Sequence, residues 1–232
     1  MTIVGRTFLC GLVFGSSLFA ESPKSFLESL SWQHNGTEGD SARLHPKKGE
    51  AWSEGWIHFT EPIEVDSAGL VLTFNMQTDR TRGEDFSAVY AKLQFTNDPS
   101  RREQVSINAT TRASDRWYML YLDPGWQLPN RHYLTVQPPT GLFATPETIE
   151  SFRLIVRRVG NSLIATLSHW NAKEERWRRL KTEDGQDRAV ASIADDLERQ
   201  TSVKSLSFQF PGDISVVSKI TLEPGDAKSD TP

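Results

Sequence analysis

From Gly55 onward the apolar residues recur mostly with a period of two, and this pattern constrains the fold more than any other feature of the chain. Successive side chains of an extended strand leave opposite faces, so this spacing describes a half-buried sheet, whereas a helix face repeats at three and four. Leu70, Leu72, Phe74 and Met76 alternate with Val71, Thr73 and Asn75; Val89, Ala91, Leu93 and Phe95 repeat the pattern. The same reading predicts strands at 56–60, 105–111, 118–122, 133–137, 152–156, 163–170, 176–180, 203–210 and 214–222. Turn residues separate them: Asp98-Pro99, Asp123-Pro124-Gly125, Pro138-Pro139, Gly160-Asn161 and Pro211-Gly212-Asp213. About eleven strands with little helix cannot all bury an apolar face in one sheet, so a second sheet must pack on the first. One stretch departs from the pattern. Asp187 to Gln200 sets Val190, Ile193, Ala194 and Leu197 at spacings of three and four with charges between, which predicts one peripheral amphipathic helix over a sheet edge.

Charge and cysteine usage narrow the partners and the compartment. The 232 residues carry 26 Lys and Arg against 30 Asp and Glu, a formal charge of −4. That balance offers no basic surplus for a nucleic-acid backbone or an anionic membrane surface. Residues 1–20 hold one charge, Arg6, then the apolar run Thr7 to Phe14 and a small-residue end at Ala20. This is the pattern of a secretory signal cut after Ala20; glycines and serines interrupt it too often for a membrane span. Cys10, the only cysteine, lies inside that segment, so the mature chain has no disulfide, thiolate nucleophile or cysteine-held metal. An exported chain without disulfides fits a secreted or periplasmic bacterial protein. We expect one domain over 22–223 and a frayed polar tail over 224–232; nothing in the sequence speaks to the oligomeric state.

The segment from Phe152 through Gly160-Asn161 to Ser168, followed by Trp177-Arg178-Arg179-Leu180, resembles a hairpin of the concanavalin A-like lectin/glucanase domains, in particular laminin G-like jelly rolls of secreted bacterial proteins. In that likeness a basic strand leads into a Gly-Asn turn, a second strand ends at Ser168, and Trp177 packs back on the hairpin. The resemblance covers about 30 residues and implies an all-β, two-sheet jelly-roll sandwich. The turn Trp170 to Glu175 departs from the family's usual Asp-Gly, being longer and more charged.

Most chemistry is refused by the residues themselves. Retaining glucanases on this fold place Glu-x-Asp-x-x-Glu on one strand; Glu64-Val65-Asp66 supplies two carboxylates, but Ser67, Ala68 and Gly69 follow. His34, His45, His58, His132 and His169 lack zinc-hydrolase spacing, and there is no nucleophile elbow, phosphate loop or dinucleotide fingerprint. No catalytic residue, metal ligand or cofactor is therefore assigned. Asp79, Glu84 and Asp85 flank a polar turn compatible with a structural calcium, but without a calcium-loop motif. The aromatics are the remaining signal, because flat rings stack on sugar rings. Trp117, Met119 and Tyr121 share the strand face opposite Tyr118, Leu120 and Leu122. If the latter set points inward, Trp117 and Tyr121, with Trp126 on the next loop, form a carbohydrate platform; otherwise both faces are covered. The function this supports is a secreted, non-catalytic carbohydrate-binding or extracellular interaction domain with glycan as partner. The alternative is a polysaccharide-active enzyme, glycoside hydrolase or lyase, on the same fold.

Overall fold

The computed structural model describes residues 32–34, 37–38, 43–45, 52–78, 88–95, 104–111, 116–123, 132–136, 145, 147–192, 201–211 and 215–225. The predicted secretory segment, the turn of Asp79, Glu84 and Asp85, Trp126, and residues 226–232 lie outside them. The strands are β1 (Trp32–His34), β2 (Thr37–Glu38), β3 (Arg43–His45), β4 (Trp52–Glu64), β5 (Leu70–Thr78), β6 (Ala88–Gln94), β7 (Gln104–Thr111), β8 (Arg116–Asp123), β9 (His132–Val136), β10 (Ile149–Val159), β11 (Ser162–Asn171), β12 (Arg176–Arg179), β13 (Ala189–Ser192), β14 (Ser202–Pro211) and β15 (Ser215–Pro224). Every strand expected from the period-two pattern is present.

These strands form two antiparallel sheets. One has seven strands in the order β1-β4-β14-β6-β7-β8-β9; the other has eight, β12-β11-β10-β5-β15-β3-β2, with β13 added beside β11. The all-β two-sheet sandwich is thus as the alternation requires. Between the sheets lie Leu72, Phe74 and Leu154 from one and Leu93, Leu120 and Phe208 from the other, each at most 2% exposed. Phe74 and Phe208 meet edge to face across the sandwich, with ring centroids 5.2 Å apart. Burying an aliphatic or aromatic side chain of this size contributes about 1.5–3 kcal/mol, and with no cysteine in the described residues this core carries the stability.

The hairpin that carries the lectin/glucanase resemblance forms as expected at its turn. Val159 pairs with Ser162, leaving Gly160 and Asn161 as a two-residue loop, with Gly160 at φ +57°. The second strand runs past Ser168 to Asn171. The charged turn that follows is held by the Asn171 carboxamide, whose Oδ1 accepts the backbone N–H of Lys173 at 3.0 Å and of Glu174 at 3.3 Å. Trp177 then returns against Trp170, ring centroids 5.5 Å apart.

The expected helix over 187–200 is corrected where the structure describes it. Ala189 to Ser192 is a strand, pairing Ala189 with Ala165 and Ser192 with Ser162. Ala189 and Ala191 are buried while Val190 and Ser192 are exposed, a period of two that reverses the face on which the helix reading put Val190. The reason is an open edge. β12 covers β11 only from Ser168 to Asn171, leaving the backbone of Ser162 to Ala165 to be paired, and β13 satisfies it. Residues 193–200 lie outside the described ones.

Candidate functional site

The seven-stranded sheet separates its residues cleanly by register. One cross-strand row reads Ile57, Leu206, Leu93, Val105, Leu122, and a second reads Gly55, Phe208, Ala91, Ile107, Leu120, Leu134. Leu206, Leu93, Phe208, Ala91, Leu120 and Leu134 belong to the core cluster, so these rows mark the inner face. Strand alternation assigns the rows between them to the outer face. Those read His58, Ser205, Gln94, Gln104, Asp123; then Trp56, Ser207, Lys92, Ser106, Tyr121, Tyr133; then Glu54, Gln209, Tyr90, Asn108, Met119, Thr135. The outer face is therefore a band of amides, hydroxyls and aromatic positions.

Its centre is shielded from water. Ser205, Ser207 and Gln94 are 0%, 3% and 7% exposed although they face away from the core. The Ser205 hydroxyl donates to Gln94 Oε1 at 2.9 Å, which satisfies both groups and fixes the amide's orientation. Beyond Ser205 the strand pair is irregular: Ser205 aligns with His58 but Val203 with Ile63, so β4 swings away from β14 through the stretch that contains Pro62. A break of this kind bends the strand beside the polar band.

The residues singled out as a platform divide as follows. Leu120 is 1% exposed, which assigns the even positions of β8 to the core and the odd positions, 117 and 121, to the outer face. Tyr121 stands in the central outer row between Ser106 and Tyr133, and Trp117 pairs with Thr110 one row beyond Asn108 and Met119. Trp126 lies outside the described residues. Sequence reasoning missed the positions that share this row with Tyr121, Trp56 on β4, Ser207 on β14, Lys92 on β6 and Ser106 on β7, because they come from four separate strands.

Glu64 and Asp66 are occupied by the chain itself. Glu64 accepts the hydroxyls of Ser202 at 2.6 Å and Thr201 at 3.3 Å; Asp66 Oδ1 accepts the N–H of Gly69 at 2.8 Å. They stitch the β4–β5 turn to β14. His169 is nearly buried and its Nε2 lies 2.7 Å from Glu150 Oε2, with its ring against Phe152 at 5.5 Å. Among the described residues no group of three His, Cys, Asp or Glu side chains could hold a metal, and no helix is long and apolar enough to cross a membrane.

On the outside of the eight-stranded sheet, the Arg153 guanidinium lies over the Trp177 ring, 4.2 Å from its centroid. Burial draws the Arg153 pKa below the usual arginine value, and the charge of Glu223 partly restores it.

Searches against known structures give the fold its place. The luminal domain of VIP36, in a Ca2+/Man3GlcNAc-bound form, superposes with a TM-score of 0.51 at 9% identity, covering 87% of this chain and 85% of that one. The carbohydrate recognition domain of Emp46p in a metal-free form gives 0.50 at 12% identity, covering 90% and 94%. A legume lectin-like domain from Entamoeba histolytica gives 0.51 at 6% identity, covering 87% and 91%. The fold is a legume-lectin-like, concanavalin A-like jelly roll. No protein-family model matches the sequence, and no curated protein matches it.

Proposed function

We propose that this lectin-type jelly roll is a non-catalytic carbohydrate-binding domain, exported to the periplasm or beyond the cell after removal of residues 1–20, and that it holds an uncharged glycan across the outer face of its seven-stranded sheet. The hairpin from Phe152 to Leu180 supports placing it with the laminin G-like branch of bacterial jelly rolls. The observation that carries the binding reading is the outer band itself. Beyond its shielded middle at Ser207, the central row runs from Ser106 through Tyr121 to Tyr133, two strand spacings or about 10 Å, the scale of one or two sugar rings. Aromatic positions at Tyr121 and Tyr133 suit the apolar faces of sugar rings, while the neighbouring positions Gln104, Ser106 and Asn108 on β7 bring hydroxyl and amide chemistry suited to ring hydroxyls. Only Lys92 and His58 bring basic chemistry to the three rows.

The same rows argue against a hydrolase. Their carboxylates are Glu54 on β4 and Asp123 on β8, which lie four strand spacings apart, about 19 Å, where glycoside hydrolysis needs roughly 5–9.5 Å. A calcium requirement is part of the proposal's test, since the Ca2+-bound form of VIP36 is a structural neighbour. The experiment is a glycan array and a polysaccharide pull-down with the mature chain, with calcium and with chelator. Binding to neutral glycans that falls at least about tenfold in Tyr121→Ala and Tyr133→Ala is expected. Absence of binding under both conditions refutes the proposal.

A further inference from the structure

The eight-stranded sheet carries a second, chemically different surface. Ile149 to Ser192 contains nine Lys and Arg against six Asp and Glu, a net +3 in a chain whose formal charge is −4. On the outer face of this sheet the register sets Arg153 opposite Ser168, which faces Arg179, and sets Ile155 opposite Thr166. Thr166 is therefore the diagonal neighbour of Arg153, with Cα atoms about 7–8 Å apart. Trp170 and Trp177 pair at the adjoining position.

Two buried polar atoms in this cluster have no hydrogen-bond partner, Arg153 Nε and Thr166 Oγ1, and Thr166 is 3% exposed. Buried donors without partners are uncommon, and two at diagonal positions of one face call for an acceptor. Asp187 pairs with Arg179 at 3.3 Å, and the charge of Glu223 on β15 already acts on Arg153, so an incoming anion competes with that one carboxylate. The Arg153 guanidinium is held by Trp177, a stacked arrangement that keeps its fork available for a planar anion.

We infer that this face is a binding site for an acidic saccharide, whose carboxylate or sulfate is taken by Arg153 and Thr166 and whose sugar ring lies along Trp170. Seating the anion requires the guanidinium to slide along the Trp177 ring, which opens the buried pair of donors. Arg157, two positions beyond Ile155 on the same face, extends the positive surface along β10.

The test is titration calorimetry of the mature chain with an oligogalacturonate, a sulfated heparin-type oligosaccharide, inorganic sulfate and a neutral dextran oligosaccharide. One or both acidic oligosaccharides should bind, more weakly as salt rises, since exposed charge attraction is screened within about 8 Å at physiological ionic strength; which one binds identifies the anionic group. Arg153→Gln should weaken that binding at least about tenfold. Thr166→Val, which keeps the shape and removes the unpartnered hydroxyl, should weaken it several-fold while leaving the melting temperature unchanged or higher. Tyr121→Ala should leave acidic-saccharide binding intact, which separates this site from the neutral-glycan face. Unchanged affinity in both Arg153→Gln and Thr166→Val overturns the inference, as does affinity for inorganic sulfate equal to that for the oligosaccharide.

Discussion

Gly69 and Gly185 share a backbone φ of +88° and differ in what surrounds them, which makes them a matched pair for measuring how tightly the two-sheet framework is closed. A Cβ at Gly69 would lie 2.6 Å from the carbonyl oxygen of Val156 and 2.8 Å from Arg157 Cβ; at Gly185 it would meet nothing within 4 Å. Both substitutions to alanine incur the left-handed backbone strain of an L-residue, about 1–2 kcal/mol. The stiffer unfolded chain offsets roughly 0.4–1 kcal/mol of that in each. Gly185→Ala should thus lose about 0–1.6 kcal/mol. Gly69→Ala adds an overlap that nothing nearby relieves, because Val156 is backbone in β10, paired on one side with Leu70 and on the other with Ala165. Gly69 also accepts the N–H of Gly225 at 2.6 Å, so a shift of its own backbone pulls on the end of β15. Overpacking of this kind costs about 1–3 kcal/mol, which puts Gly69→Ala at about 1–4.6 kcal/mol, above Gly185→Ala by the whole of the overlap. Urea unfolding followed by tryptophan fluorescence reads both as shifts of midpoint at constant slope, with melting temperatures lower by roughly 2–4 °C per kcal/mol. Equal losses in the two variants would show that the β4–β5 turn relaxes freely and would refute the close packing against β10.

Three further outcomes follow from the geometry. Phe152→Ala removes a ring packed 5.8 Å from Phe74 and 5.5 Å from His169 and should lower stability by about 3–5 kcal/mol in the same urea assay. Trp117→Ala and Tyr121→Ala, as outer-face positions, should stay within about 0.5 kcal/mol of the parent chain; a loss of 3–5 kcal/mol in both would make these aromatics core and remove the proposed platform. At Asp187 burial alone would raise the carboxyl pKa, but hydrogen bonds from Arg188 and Arg179 outweigh it and hold the value low. A depressed folded-state pKa gives stability that is fully present above the unfolded value of about 3.9 and is lost as pH falls through the folded value. The stability difference between the parent chain and Asp187→Asn should therefore be constant near neutrality and shrink below about pH 4, as measured by urea midpoints across that range.

Strand existence was legible in the sequence because side-chain alternation is a local property: Leu70 to Met76 and Leu154 to Val156 expose it without reference to anything distant. The tight turn at Gly160-Asn161 was legible for the same reason. The misreading fell on Ala189 to Ser192, which the helix reading placed within its first turns. An unpaired stretch of β11 made a strand the better solution, and such an open edge exists only once β10, β11 and β12 have assembled. Nor could the sequence say which face of β8 is core, since Trp117, Met119 and Tyr121 are as apolar as Tyr118, Leu120 and Leu122. The burial of Leu120 against the opposite sheet decides it. Both candidate sites lie beyond local pattern altogether. Trp56, Ser207, Lys92, Ser106 and Tyr121 share one row only because β14 inserts between β4 and β6, and Arg153 meets Trp177 only because β11 lies between their strands. Composition and alternation determine that this chain makes two sheets, but the strand order, set by the joint burial of both inner faces, determines which distant polar side chains become neighbours.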